Sequence, residues 1–74
     1  MQKTKDILSS LTGVVWKIDV EIGTYVEEDD TVVTLESMKM EIPVGAPDNG
    51  VISEILVVED EFVEEGQVVA RMTV

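Results

Sequence analysis

The chain has no cysteine and no histidine. Without cysteine there is no disulfide to staple the fold and no thiolate to hold a metal. Without histidine the commonest general base, the commonest zinc ligand and every Ser-His or Cys-His nucleophile pair are excluded. Basic residues are scarce too: five Lys and Arg stand against 16 Asp and Glu, a formal net charge of −11. Nucleic acid and anionic membrane surfaces need a basic face, so neither is expected as a partner; protein clefts lined with positive charge are. No apolar run approaches the roughly 20 residues that span a bilayer, and no signal peptide is visible. The expected location is therefore the cytoplasm, with an organelle matrix left open. The 74 residues allow one domain. Ordering so short a chain costs on the order of 1.5 kcal/mol per residue, so its core has to be regular and well packed.

What the chain does have is one pattern written twice. Residues 13–35, GVVWKIDVEIGTYVEEDDTVVTL, align without a gap on residues 50–72, GVISEILVVEDEFVEEGQVVARM, an offset of 37 (50 − 13). Gly13/Gly50, Val14/Val51, Ile18/Ile55, Val20/Val57, Val26/Val63, Glu27/Glu64, Glu28/Glu65 and Val32/Val69 are identical. Two halves with one pattern imply a domain with quasi-two-fold symmetry. Valine and isoleucine dominate each half, and Val14, Trp16, Ile18 and Val20 alternate with Val15, Lys17, Asp19 and Glu21. That alternation predicts strands, with Val14, Trp16, Ile18 and Val20 facing the core and Val51, Ile55 and Val57 matching them in the second copy. The segments EIGTYVEEDDT and VEDEFVEEGQV between the strands read as tight acidic turns. Gly23 aligns with Asp60 and Asp29 with Gly66, and positions that accept either residue suggest a left-handed backbone. The fold class this predicts is all-β, a sandwich or flattened barrel.

The stretch TLESMKMEIPV, residues 34–44, breaks the local rules. With Met38-Lys39 as a two-residue turn, Ser37 pairs with Met40, Glu36 with Glu41, Leu35 with Ile42 and Val33 with Val44, which puts the apolar pairs on one face. Hairpin turns of this length need positive φ at their centre, which neither methionine nor lysine favours. Glu36 and Glu41 also face one another as like charges. An exposed turn lysine is ordinarily just solvated, and methionine is ordinarily core filler. Here broken rules cluster at one place in an otherwise consistent chain, and that points to function. Shifting by 37 maps the tip onto the break between the chain's ends, so Lys39 is expected at the opposite end of the domain from the termini. A lysine ammonium is a poor nucleophile, so any modification of Lys39 requires an enzyme to deprotonate it and present an activated acyl group. Met38 and Met40 are adaptable apolar handles for such an enzyme.

At these residues the sequence resembles a known family. ESMKMEIP between two G-V-V…V-E-E halves is similar to the biotinyl/lipoyl attachment domain over roughly residues 9–74, and Met38-Lys39-Met40 resembles its biotin-acceptor signature. The likeness is to biotin carboxyl carrier proteins and to small free-standing biotin/lipoyl attachment proteins. It implies two four-stranded antiparallel sheets with the acceptor lysine on a hairpin tip. It implies biotin joined by an amide to Lys39 by a biotin protein ligase, which would recognise Glu36, Ser37, Met38, Met40 and Glu41. It further implies a carrier rather than an enzyme, monomeric, with no catalytic residue and no metal of its own. The carrier would take a carboxyl group from a biotin carboxylase to a carboxyltransferase and an acyl-CoA or keto-acid acceptor, as in an acetyl-CoA carboxylase of fatty acid biosynthesis. Residues 1–8 would be a first strand or a partly ordered tail.

The match has departures. Ser37 stands where alanine is commoner, no proline occurs near Leu11-Thr12, and the gapless halves leave no room for the protruding insert of some bacterial carriers. A lipoyl acceptor shares the fold and the lysine, but typically carries aspartate where this chain has Met38. An unmodified β-module for protein–protein contacts is the alternative of another class. The acidic runs at 27–30 and 59–61 fall at equivalent turns of both copies and read as solvated turn charge; the looping ligand pattern of a calcium site is not there.

Overall fold

The computed structural model describes residues 3–74. The expected strand or tail over residues 1–8 therefore lies outside the described residues at positions 1 and 2. Eight strands follow in order: β1 (Thr4–Leu8), β2 (Gly13–Ile18), β3 (Tyr25–Val26), β4 (Thr31–Ser37), β5 (Met40–Gly45), β6 (Gly50–Ile55), β7 (Phe62–Val63) and β8 (Val68–Thr73). They form two four-stranded antiparallel sheets, β1-β8-β6-β3 and β5-β4-β2-β7. The flattened all-β sandwich is as the sequence predicts. Adding 37 to β2 and β3 gives β6 and β7, and adding it to β4 and β1 gives β8 and β5 to within one residue at one end, so the two sheets are copies of one another.

The halves interlock. The turn of each copy bonds to a strand of the other: Gly23 N–H donates to Ile52 C=O, and its mate Asp60 N–H donates to Val15 C=O. The returning bonds, Ile52 N–H to Thr24 C=O and Val15 N–H to Glu61 C=O, obey the same shift. Further out, Asp29 N–H donates to Ala46 C=O as Gly66 N–H does to Ser9 C=O. Non-glycine residues with positive φ include Asp29 (73°) and Asp60 (74°), and their mates Gly66 (86°) and Gly23 (94°) share the sign. Aspartate tolerates this left-handed region better than most residues, which explains the exchange with glycine.

Between the sheets lie Ile7, Val15, Val26, Val32, Val33, Leu35, Val44, Ile52, Val63, Val69, Ala70 and Met72, with Ile18, Val20 and Ile55 packed at the margin. The core face expected for β2 and β6 is wrong over their first half. Val15 and Ile52 are fully buried, whereas Trp16 and Val51 are exposed. The cause is a β-bulge in each copy: Val15 pairs with Leu35 but Lys17 with Thr34, leaving Trp16 as the extra residue, and Ser53 is its mate in β6. An extra residue shifts the two-residue period by one. Val15 therefore faces inward before the bulge, and Ile18 and Val20 face inward after it. A second pair of bulges at Val32 and Val69 lets two consecutive residues turn inward, Val32 with Val33 and Val69 with Ala70.

The long axis separates the chain ends from the β4–β5 turn. Lys3 and Val74 exchange backbone hydrogen bonds, and Thr73 pairs with Val51 and Val26 with Gly50. Beside them Glu28 N–H donates to Asn49 Oδ1 at 2.8 Å. From there β4 leaves with seven residues, which at about 3.3 Å each carry the turn about 23 Å away. The molecule measures 41 × 17 × 16 Å. Lys39 thus sits at the end opposite the termini.

Candidate functional site

The site is the β4–β5 hairpin. Its register is Leu35↔Ile42, Glu36↔Glu41 and Ser37↔Met40, leaving Met38 and Lys39 as the turn. Both have positive φ, 52° and 64°. Positive φ at both central residues suits a two-residue hairpin because its twist matches that of the strands. It is unfavourable for side chains with a Cβ, at roughly 1–2 kcal/mol per residue. The hairpin is held in place from below: Val33, Leu35 and Val44 are buried. The strain is therefore imposed by register and packing, and the turn cannot relax without moving the core.

β2 lies alongside. Gly13 is buried where a Cβ would come 2.6 Å from the Glu36 carbonyl oxygen. Only glycine lets β2 close against β4 at this level. Gly50 is its mate against the Thr73 carbonyl. The identity of these two glycines in the repeat was the visible sign of that close approach.

Glu36, Ser37, Met38, Lys39, Met40 and Glu41 lie together at the end of the hairpin. Met38 is 92% exposed and Met40 61%, so both stand in solvent and contribute almost nothing to the core. Glu36, Lys39 and Glu41 are exposed and Ser37 is half-buried. Among the described residues Lys39 makes no ion pair and no side-chain hydrogen bond; the cations that do are Lys5, Lys17 and Arg71. Glu36 and Glu41 also lack a cation, although they are cross-strand neighbours. The acidic turns do structural work. Asp30 Oδ2 accepts from Glu27 N–H, Glu61 Oε1 from Val58 N–H and Gln67 Oε1 from Glu64 N–H. Such side-chain bonds close turns, and among the described residues no group of three or more carboxylates is placed to hold a metal. Sequence reasoning missed the outer surface of β2, where Val14, Trp16 and the neighbouring Phe62 of β7 lie. The bulge that turns Trp16 outward leaves no mark in the alternation.

Chemically, the arrangement presents one primary amine at the apex of a rigid β post, clear of the body. Fold and site together define a small β-sandwich domain that presents a lysine on an exposed hairpin tip. The family model described as "Biotin-requiring enzyme", that of the biotin/lipoyl attachment domains, matches residues 5–72. The chain is 40% identical over 63 residues to the biotin/lipoyl attachment protein of Bacillus subtilis, covering 85% of this chain and 86% of that one. It is 33% identical over 66 residues to the biotinylated protein TB7.3 homolog of Mycobacterium leprae, covering 89% and 93%. The crystal structure of urea carboxylase from Kluyveromyces lactis superposes with a TM-score of 0.89 at 36% identity, over 95% of this chain and 6% of that one. The chain thus spans most of the short relatives but only 5 to 8% of the long carboxylases it matches. It belongs to the biotinyl/lipoyl attachment family.

Proposed function

We propose that this chain is a biotin carrier domain with Lys39 as its acceptor. A biotin protein ligase removes a proton from the ammonium. The freed Nζ then attacks the carbonyl carbon of an activated biotinyl ester, forming the amide while the activating group leaves with the bonding electrons. Once attached, biotin supplies a ureido nitrogen that takes up and gives up a carboxyl group. The protein supplies reach and local concentration, not chemistry. Its partners are the ligase, a biotin carboxylase and a carboxyltransferase acting on an acyl-CoA or keto acid, and its setting is the cytoplasm.

The observation that carries this reading is the strained Met38-Lys39 turn, with positive φ at both residues and the lysine free of any ion pair among the described residues. A stable hairpin would use Asn-Gly here; a lysine is kept at a cost, so its amine is needed. Glu36, Ser37, Met38, Met40 and Glu41 surround it as the ligase's recognition set. Biotin is favoured over lipoate by Met38 in the place of aspartate and by the biotinylated M. leprae relative. The test is co-expression with a biotin protein ligase, read by intact mass and a streptavidin blot. One biotin adduct is expected, and none on the Lys39→Arg variant. A lipoyl adduct would transfer the site to lipoate, and an unmodified chain would leave a β-module for protein contacts.

A further inference from the structure

The duplicated fold carries its own control. Each solvent-facing position on the lysine-bearing sheet has a mate on the other sheet, so where the two differ, the fold is not the reason. On the sheet holding the chain ends, the cross-strand row Asp6–Arg71–Glu54 is closed by charge. Arg71 Nε lies 3.0 Å from Asp6 Oδ1 and Nη1 lies 3.6 Å from Glu54 Oε1. The mate row on the lysine-bearing sheet is Pro43–Thr34–Lys17, and among the described residues no cation there bridges two strands. Lys17 instead reaches along its own chain to Asp19, 4.0 Å away just past the end of β2.

Nearer the tip the contrast sharpens. The row Tyr25–Val51–Thr73–Thr4 becomes Phe62–Val14–Glu36–Glu41. The bulge residue beside this row is Ser53 on one sheet and Trp16 on the other, where it is 48% exposed; Phe62 is 59% exposed. The chain-end sheet also exposes Tyr25 (61%) and Val51 (39%), but it sets them beside two threonines, with serine at the bulge and its neighbouring charges closed into ion pairs. The other sets an apolar strip of Phe62, Val14 and Trp16 against two carboxylates with no cation among the described residues.

We propose that this outer face of the lysine-bearing sheet is the surface by which the enzyme that acylates Lys39 grips the domain. The inference rests on the carrier reading above. The partner surface it fits has an apolar centre bordered by arginine or lysine, which would sit between Glu36 and Glu41 and relieve their repulsion. The acylating enzyme is singled out by reach. It has to bring the bare amine into its own active site, and that amine extends only the length of a four-carbon stem from the backbone. The hairpin and the sheet beside it must therefore be pressed against that enzyme. Enzymes that work on the far end of the extended arm are under no such constraint. A net charge of −11 steers the same encounter.

The experiment uses the whole chain with a biotin protein ligase, biotin and ATP, measuring biotin incorporation against chain concentration. Trp16→Ser and Phe62→Ser are each expected to raise KM about fivefold or more with kcat little changed, as truncation of a central interface residue does. Tyr25→Ser, the mate of Phe62 at the far end, should leave both constants alone. Raising salt from about 0.05 to 0.3 M should raise the wild-type KM. Trp16 is the only tryptophan, so adding ligase to the unreactive Lys39→Arg chain should shift its emission to the blue. If the wild-type chain is biotinylated but the two serine variants keep its KM, or Tyr25→Ser rises as much as they do, the docking face is wrong and Lys39 keeps its role. Unmoved Trp16 emission at ligase concentrations above the wild-type KM overturns it equally. If the wild-type chain takes up no biotin, the carrier reading itself falls, and the docking face falls with it.

Discussion

Replacing Met38-Lys39 by Asn-Gly should stabilise the domain while removing its acceptor. Both turn residues have positive φ, 52° and 64°. Left-handed backbone costs a residue with a Cβ roughly 1–2 kcal/mol, and asparagine less than most. Glycine at 39 relieves its share fully, but returns about 0.5–1 kcal/mol through the greater freedom of the unfolded chain. The net gain is about 1–2 kcal/mol. For a domain of this size each kcal/mol moves Tm by roughly 4–8 °C, so the double variant should melt about 5–15 °C above wild type. Circular dichroism melts with matched urea titrations measure it, and an unchanged urea m-value would show that the surface exposed on unfolding is the same in both chains. A Tm equal to or below that of wild type would refute the reasoning, because the turn would then not be strained and its sequence would need no functional cause.

Three other outcomes follow from the same structure. Leu35→Ala empties a fully buried position beneath the hairpin and should cost about 2–5 kcal/mol. A chain of 74 residues has about 4–11 kcal/mol in all, so the urea midpoint should fall to roughly half that of wild type. Met38→Asp, at a side chain 92% exposed, should leave Tm within a few degrees of wild type yet slow biotin transfer by the ligase, as read by streptavidin blot over time. The carboxyl of Asp48 is held below its usual range, first by its hydrogen bond from Lys5 and then by that from Asn49 N–H. A depressed folded pKa gives stability that is complete above the unfolded value near 3.9 and is lost as pH falls through the folded value. Stability of Asp48→Asn relative to wild type should thus be lower at neutral pH and converge at the acid end, followed by urea titration across pH.

Much of this fold can be read from the chain because it is written twice. The hairpin register came from Leu35 opposite Ile42 and Val33 opposite Val44, since any one-residue slip would turn the apolar set to solvent. The left-handed turns came from the exchange of glycine and aspartate at 23/60 and 29/66. The site could be placed because its residues violate what the rest obeys. The face of β2 was hidden for a physical reason. A bulge inserts one residue without a compositional mark, so Trp16 reads as core by parity while the backbone turns it outward. Strands β3 and β7, two residues each, are too short for any period and lie inside what read as acidic turns. Their pairing depends on contacts between the halves, and no local window contains those.

The interlocking of the halves has a consequence for stoichiometry. A fully symmetric assembly of two such halves would expose two identical hairpins, one at each pole, and could be loaded twice. Here the domain's first and last strands run out side by side, Lys3 against Val74, at the pole that mates with the Met38-Lys39 turn. The opposite pole keeps the closed Met38-Lys39 turn between β4 and β5. One such hairpin tip per domain therefore follows from connectivity alone.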